Sequence, residues 1–159
     1  MAARNSELTA TSDRVLAITR IFDAPRDLVF KAWTDPEHVK RWWAPKGFTV
    51  VSLEMDLRLG GAYTRHMRSL EGSDSWRRGV YKEIVAPERL AFTYISDNTQ
   101  GTVGHETLVT VNFEDLGART KMTFRQAVFE SVLARDVHRG GWTSTMERFS
   151  EYLAEVLAA

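Results

Sequence analysis

The chain has 159 residues, enough for one domain with a single substantial core. Its 43% hydrophobic and 26% charged residues place it among globular rather than disordered chains. Lys plus Arg balance Asp plus Glu at 21 each, so there is no bulk attraction to nucleic acid or an anionic membrane, and the lack of cysteine excludes disulfides, thiolate metal sites and cysteine nucleophiles.

Residues 1–14 carry charges but no apolar run, the pattern of a flexible tail and of neither a signal peptide nor a membrane span. One domain over residues 15–159 is therefore expected, in a reducing, cytoplasmic setting. Residues 15–22 alternate and are rich in β-branched types, the signature of a first strand. Asp23-Ala24-Pro25 stops it. Pro25 suits the first turn of a helix with Leu28, Val29, Phe30 and Trp33 on its buried face, and Asp35 with Pro36 starts a second short helix ending near Trp42 and Trp43. Ala44-Pro45-Lys46-Gly47 breaks that helix. Two short helices in tandem make no regular crossover, so they are expected to pack as a flap over one end of a sheet.

From Phe48 the pattern turns to strands at residues 48–56, 61–69, 75–85, 89–96, 106–114 and 119–129, separated by turn signals such as Gly60-Gly61 and Pro87. Short connections imply hairpins and an antiparallel sheet, with residues 98–104 as the longest and most polar loop. Residues 131–157 read as one long helix. Trp142, Met146, Phe149, Leu153 and Val156 form its apolar stripe, Ser131 is its cap, and Thr143, Glu147, Arg148, Glu151 and Glu155 its solvated face. Gly140 and Gly141 interrupt the pattern at about 1 kcal/mol each relative to Ala, which points to a close approach by a strand or a ligand under the helix. The order of elements predicts an α+β fold with the long helix laid across a curved antiparallel sheet.

Motifs for chemistry are sparse. There is no Gly-x-Ser-x-Gly elbow, and Gly60-Gly61 lacks the lysine of a phosphate loop. Asp136 and His138 stand two apart on a helix and read as surface residues. The histidines at 38, 66, 105 and 138 show no His-Glu-x-x-His spacing, so no metal and no cofactor is expected. Glu54 and Asp56 share a strand face and read as edge carboxylates.

Ordered motifs over residues 15–157 carry a resemblance. They include Phe22-Asp23-Ala24-Pro25, Ala32-Trp33-Thr34-Asp35-Pro36, Arg41-Trp42-Trp43, Gly60-Gly61, Gly79-Val80-Tyr81, Pro87-Glu88-Arg89-Leu90 and Gly141-Trp142. The chain resembles the START-like (SRPBCC) superfamily, and within it the family related to the C-terminal domain of activator of Hsp90 ATPase. The resemblance implies a helix-grip fold: about seven antiparallel strands wrapped around a long C-terminal helix, with two short helices after the first strand. It also implies a cavity between sheet and helix, in a family whose relatives bind lipids, hormones or polyketide-like molecules, act as cyclases, or assist a chaperone in stress responses.

Alternation puts Tyr63, Arg65 and Met67 on one strand face, Leu90, Phe92 and Tyr94 on another, then Val109, Val111 and Phe113, then Met122, Phe124, Gln126 and Val128. Such faces suit a ligand cavity and a dry core equally. The residues expected to line a cavity are Tyr63, Arg65, Met67, Phe92, Tyr94, Val111, Phe113, Met122 and Phe124 from strands, with Trp33, Trp42, Trp142 and Met146 from helices. For Trp33, Trp42 and Trp43 the competing reading is a plug at one end of the sheet, each N–H bonded to backbone. Arg65 is the expected polar anchor. A buried guanidinium needs a carboxylate, carbonyl oxygens, water, or an anionic or carbonyl-bearing ligand; in the opposite register His66 and Arg68 would face inward instead. The expected function is non-catalytic binding of a small hydrophobic molecule carrying a carboxylate or carbonyl, by a monomer or homodimer. A polyketide-cyclase-like or hydrolase-like enzyme and a co-chaperone are the alternatives.

Overall fold

The structure, a computed structural model, describes residues 13–98 and 104–159. Seven antiparallel strands form one sheet in the order β1-β7-β6-β5-β4-β3-β2. They are β1 (Leu16–Phe22), β2 (Phe48–Met55), β3 (Ala62–Ser69), β4 (Asp74–Val85), β5 (Arg89–Asn98), β6 (Thr107–Asp115) and β7 (Thr120–Ala127). Helices α1 (Arg26–Thr34) and α2 (Pro36–Trp42) follow β1, and α3 (Val132–Ala158) ends the chain. This is the expected helix-grip architecture. Most of the tail and most of the long loop after Asn98 lie outside the described residues, although Arg14 O accepts from Phe129 N at 3.0 Å.

Local chemistry explains the elements. Asp35 caps α2 by accepting from Glu37 N at 3.0 Å, ahead of Pro36, whose missing N–H has no helical partner to lose there. Ser131 Oγ accepts from Ala134 N at 3.0 Å and opens α3. Strand β3 keeps Tyr63, Arg65 and Met67 buried while Thr64 and Arg68 face out. The Gly60-Gly61 turn holds Gly60 at φ +80°, and a Cβ on Gly61 would meet Asp56 O at 2.0 Å, so glycine is required there.

The core fills the space between sheet, α1, α2 and the second half of α3. Trp42 stacks on Phe149 at 4.3 Å and meets Trp33 edge-on at 4.8 Å, while Phe124 packs on Trp142 at 4.4 Å. The two short helices therefore close one end of the sheet, as a plug. Of the three tryptophans, Trp42 alone bonds to backbone, donating to Ala32 O at 2.9 Å; buried Trp33 Nε1 and Trp43 Nε1 find no acceptor. Val128 departs from its expected face. It lies past the end of β7 and is 36% exposed.

Candidate functional site

A cavity of about 320 Å³ lies between β3, β4, β5 and the first half of α3, in the size range of small-molecule sites. Met67, Trp43, Phe48 and Trp142 supply apolar wall, and Arg65, Arg77, Tyr94, Ser96 and His138 supply the polar groups. Antiparallel register aligns three of these. Arg65 on β3 is directly opposite Arg77 on β4, and Arg77 is directly opposite Ser96 on β5. Tyr94, two residues before Ser96, shares its face.

Two guanidinium groups thus face each other across a sheet, an arrangement that destabilises unless something compensates it. Arg65 is 2% exposed. Its Nη1 donates to Trp43 O at 2.9 Å, its Nη2 donates to the Tyr94 hydroxyl at 3.1 Å, and its guanidinium carbon stands 4.1 Å from the centre of the Trp43 ring. Buried Arg65 Nε has no acceptor. Arg77 Nε donates to the same Tyr94 hydroxyl at 2.9 Å, and its Nη1 to Trp76 O at 3.2 Å. Among the described residues, neither arginine has a carboxylate partner. Burial pushes Arg65 down to about 10. Burial pushes Tyr94 up, but the charges of Arg77 and Arg65 outweigh it and hold the phenol below its ordinary value.

Trp142 is fixed at the cavity wall by a relay of satisfied polar groups. Its Nε1 donates to Gln126 Oε1 at 2.8 Å, Gln126 Nε2 donates to Thr107 Oγ1 at 2.9 Å, and Thr107 Oγ1 donates to Tyr94 O at 2.9 Å. The rim is fixed from α3. Arg148 Nη1 donates to Ala44 O at 3.1 Å and Phe48 O at 3.0 Å, and Lys46 N donates to Ser144 Oγ at 2.9 Å. Arg148 therefore leaves the solvated face where helical spacing puts it, because three carbonyls of the α2–β2 connection lie within its reach. Gly140 and Gly141 also depart from expectation. No atom lies within 4 Å of a Cβ built on Gly140, and on Gly141 the nearest is Pro45 Cγ at 3.9 Å. No strand approaches there; Gly141 instead leaves room in the cavity wall.

Of the residues expected to line a cavity, Arg65, Met67, Tyr94 and Trp142 do so. The other nine do not reach it. Trp33, Trp42, Phe92, Phe113 and Phe124 interlock as aromatic core, and Val111, Met122 and Met146 are fully enclosed. Tyr63 is tied down by donating to Thr93 O at 2.6 Å. Where α1, α2 and the second half of α3 press on the sheet, side chains fill the space, and the cavity lies beyond them. Sequence patterning missed Arg77, Ser96 and His138. The first two follow from period two, since Arg77 alternates with buried Gly79 and Tyr81 and Ser96 continues the Phe92, Tyr94 face. His138 stands four residues before Trp142 on the same helical stripe, so it is a cavity residue rather than the surface residue expected.

A seven-stranded sheet gripping a long C-terminal helix, with a cavity left between them, defines a START-like helix-grip protein. No helix among the described residues is long and apolar enough to cross a membrane. The chain belongs to the family described as Activator of Hsp90 ATPase homolog 1-like protein, which matches residues 23–154. Among solved structures, it is similar to a Chromobacterium violaceum protein at 23% identity and TM-score 0.80, covering 88% of this chain and 96% of that one. It is also similar to the AHSA1 protein of Silicibacter pomeroyi, at 24% identity and TM-score 0.80, over 88% and 97% of the two chains. An Arthrobacter aurescens protein aligns at 26% identity and TM-score 0.79, over 91% and 88%. No curated protein matches the chain.

Proposed function

We propose that the chain binds a small hydrophobic molecule bearing a carboxylate, its apolar body against Trp43, Met67 and Trp142 and its anionic group between Arg65 and Arg77. The observation that carries this reading is the pair of directly opposed guanidinium groups in a mainly apolar cavity, sharing the Tyr94 hydroxyl as acceptor. An anion there supplies the missing charge and accepts from the Tyr94 O–H proton, both of whose oxygen lone pairs already serve arginines. The cavity has the volume of about ten water molecules at ~30 Å³ each, which suits a short-chain or single-ring acid.

Calorimetric titration with octanoate, naphthoate and their neutral primary amides tests this. The acids are expected to bind and the amides to bind more weakly. Arg65→Met should weaken acid binding by the strength of a hydrogen bond to a charged group, about 1.5–3 kcal/mol or roughly tenfold to a hundredfold. Equal affinity for acid and amide, or an unchanged affinity in Arg65→Met, overturns the reading.

A further inference from the structure

Ser96 and His138 make a second constellation in the same wall, and it belongs to chemistry rather than to holding an anion. Ser96 Oγ lies 3.2 Å from His138 Nε2, and His138 Nδ1 lies 2.8 Å from Ala134 O. A carbonyl oxygen only accepts, so the imidazole proton is on Nδ1 and Nε2 turns its lone pair to the serine hydroxyl. The ring is held in place, 4.9 Å from Phe129 and 6.2 Å from Tyr94. Burial, the leading influence, keeps the imidazole below its ordinary value and hence neutral, with the Nε2 lone pair free to accept. Opposite Ser96 in register stands Arg77, an unpaired cation. A smaller pocket of about 70 Å³ adjoins Tyr94, Ser96 and His138 on the far side, room for about two waters.

We infer that Ser96 is a nucleophile, with His138 as its general base, for acyl transfer from small hydrophobic esters bound in this cavity. Nucleophile bonded to base, base oriented by a third group, and cations beside the reacting centre are the parts that acyl transfer needs. Ser96 Oγ attacks the ester carbonyl carbon while its proton passes to His138 Nε2. The oxyanion forms beside Arg77 and Tyr94. As the intermediate collapses, the carbon–alkoxy bond breaks and the leaving alcohol takes the proton from His138, leaving an acyl ester on Ser96. Water from the adjoining pocket then gives a proton to His138 and attacks the acyl carbon, and Ser96 leaves with that proton. The product is a hydrophobic carboxylate, the ligand class proposed above. The inference rests on that reading for substrate placement, because the acyl chain occupies the site of the bound acid.

The intact chain is mixed with p-nitrophenyl butanoate, and separately with a fluorophosphonate probe, and digests are analysed by mass spectrometry. The expected result is a stoichiometric burst of nitrophenolate, one butanoyl or phosphonyl group on Ser96, and loss of both in Ser96→Ala. His138→Gln should slow acylation by about 10²–10⁴-fold. A label on another residue, or an unchanged rate in Ser96→Ala, overturns the inference. The parent chain should also bind octanoate. If it does while leaving both probes untouched, acyl transfer falls and carboxylate binding stands; if it fails to bind octanoate, the binding reading falls on its own account.

Discussion

Arg65 shows how magnitudes decide the sign of a substitution. Burial lowers its pKa from the ordinary guanidinium value to about 10, and the gap corresponds to roughly 3 kcal/mol against the charged form at neutral pH. The Trp43 ring returns at most about 2 kcal/mol of that as a desolvated cation–π contact. Arg65→Met, of similar length and apolar, is therefore expected to raise the stability of the unliganded protein by about 1 kcal/mol even as it weakens acid binding. The group is a base with a depressed folded pKa, so its cost is fully present below about 10 and fades as pH rises from there toward the ordinary guanidinium value. Urea unfolding at neutral pH should show the variant more stable, with the advantage shrinking above pH 10. A less stable variant would mean that Arg65 is adequately compensated already. Period two put Arg65 on one face with Tyr63 and Met67 and left open whether that face or the one with His66 and Arg68 turns inward; the buried face is that of Arg65. That it faces a second arginine was not legible, because register between β3 and β4 depends on where the hairpin turns, and neither strand records it.

At the scale of elements, caps and breakers placed the helices and strands well, since Asp35, Pro36 and Ser131 act through bonds to residues two or three away. Division of labour between the paired tryptophans was less legible. Trp42 is fully buried with its N–H satisfied, so Trp42→Ala should cost about 3–5 kcal/mol in chemical denaturation, as a large-to-small core change does. A variant that unfolds with the parent midpoint would remove Trp42 from the core. Trp43, its neighbour, divides its surface between core and cavity. Adjacent residues at a helix C-terminus diverge in direction, and sequence spacing does not say which one meets an open space.

Across the whole molecule, β1 pairs with β7 from Leu16↔Gln126 to Phe22↔Thr120, which brings together segments about a hundred residues apart in sequence. No local pattern encodes that pairing; the resemblance supplied a sheet of about seven strands wrapped around the long helix, and the structure adds that its first strand lies beside its last. The same long-range arrangement leaves α3 unevenly held. Its buried residues are Trp142, Thr145, Met146, Phe149 and Leu153, whereas none of residues 132–141 is buried and Leu133 and Val137 are 74% and 65% exposed. Gly140 and Gly141 fall at the junction. The helix is thus two units of unequal cooperativity, an anchored stem and an N-terminal arm that forms one wall of the cavity. Amide hydrogen exchange should report the division: amides of the arm open by local fraying and exchange fast, and those around residues 146–153 only by global unfolding. Gly140→Ala, with open space around its new methyl, should raise protection in the arm by about 1 kcal/mol and leave the stem unchanged. Uniform protection along all of α3 would make the helix a single cooperative unit. In a helix so divided, a fluctuation of the arm reshapes one wall of the cavity while the anchored stem keeps the fold.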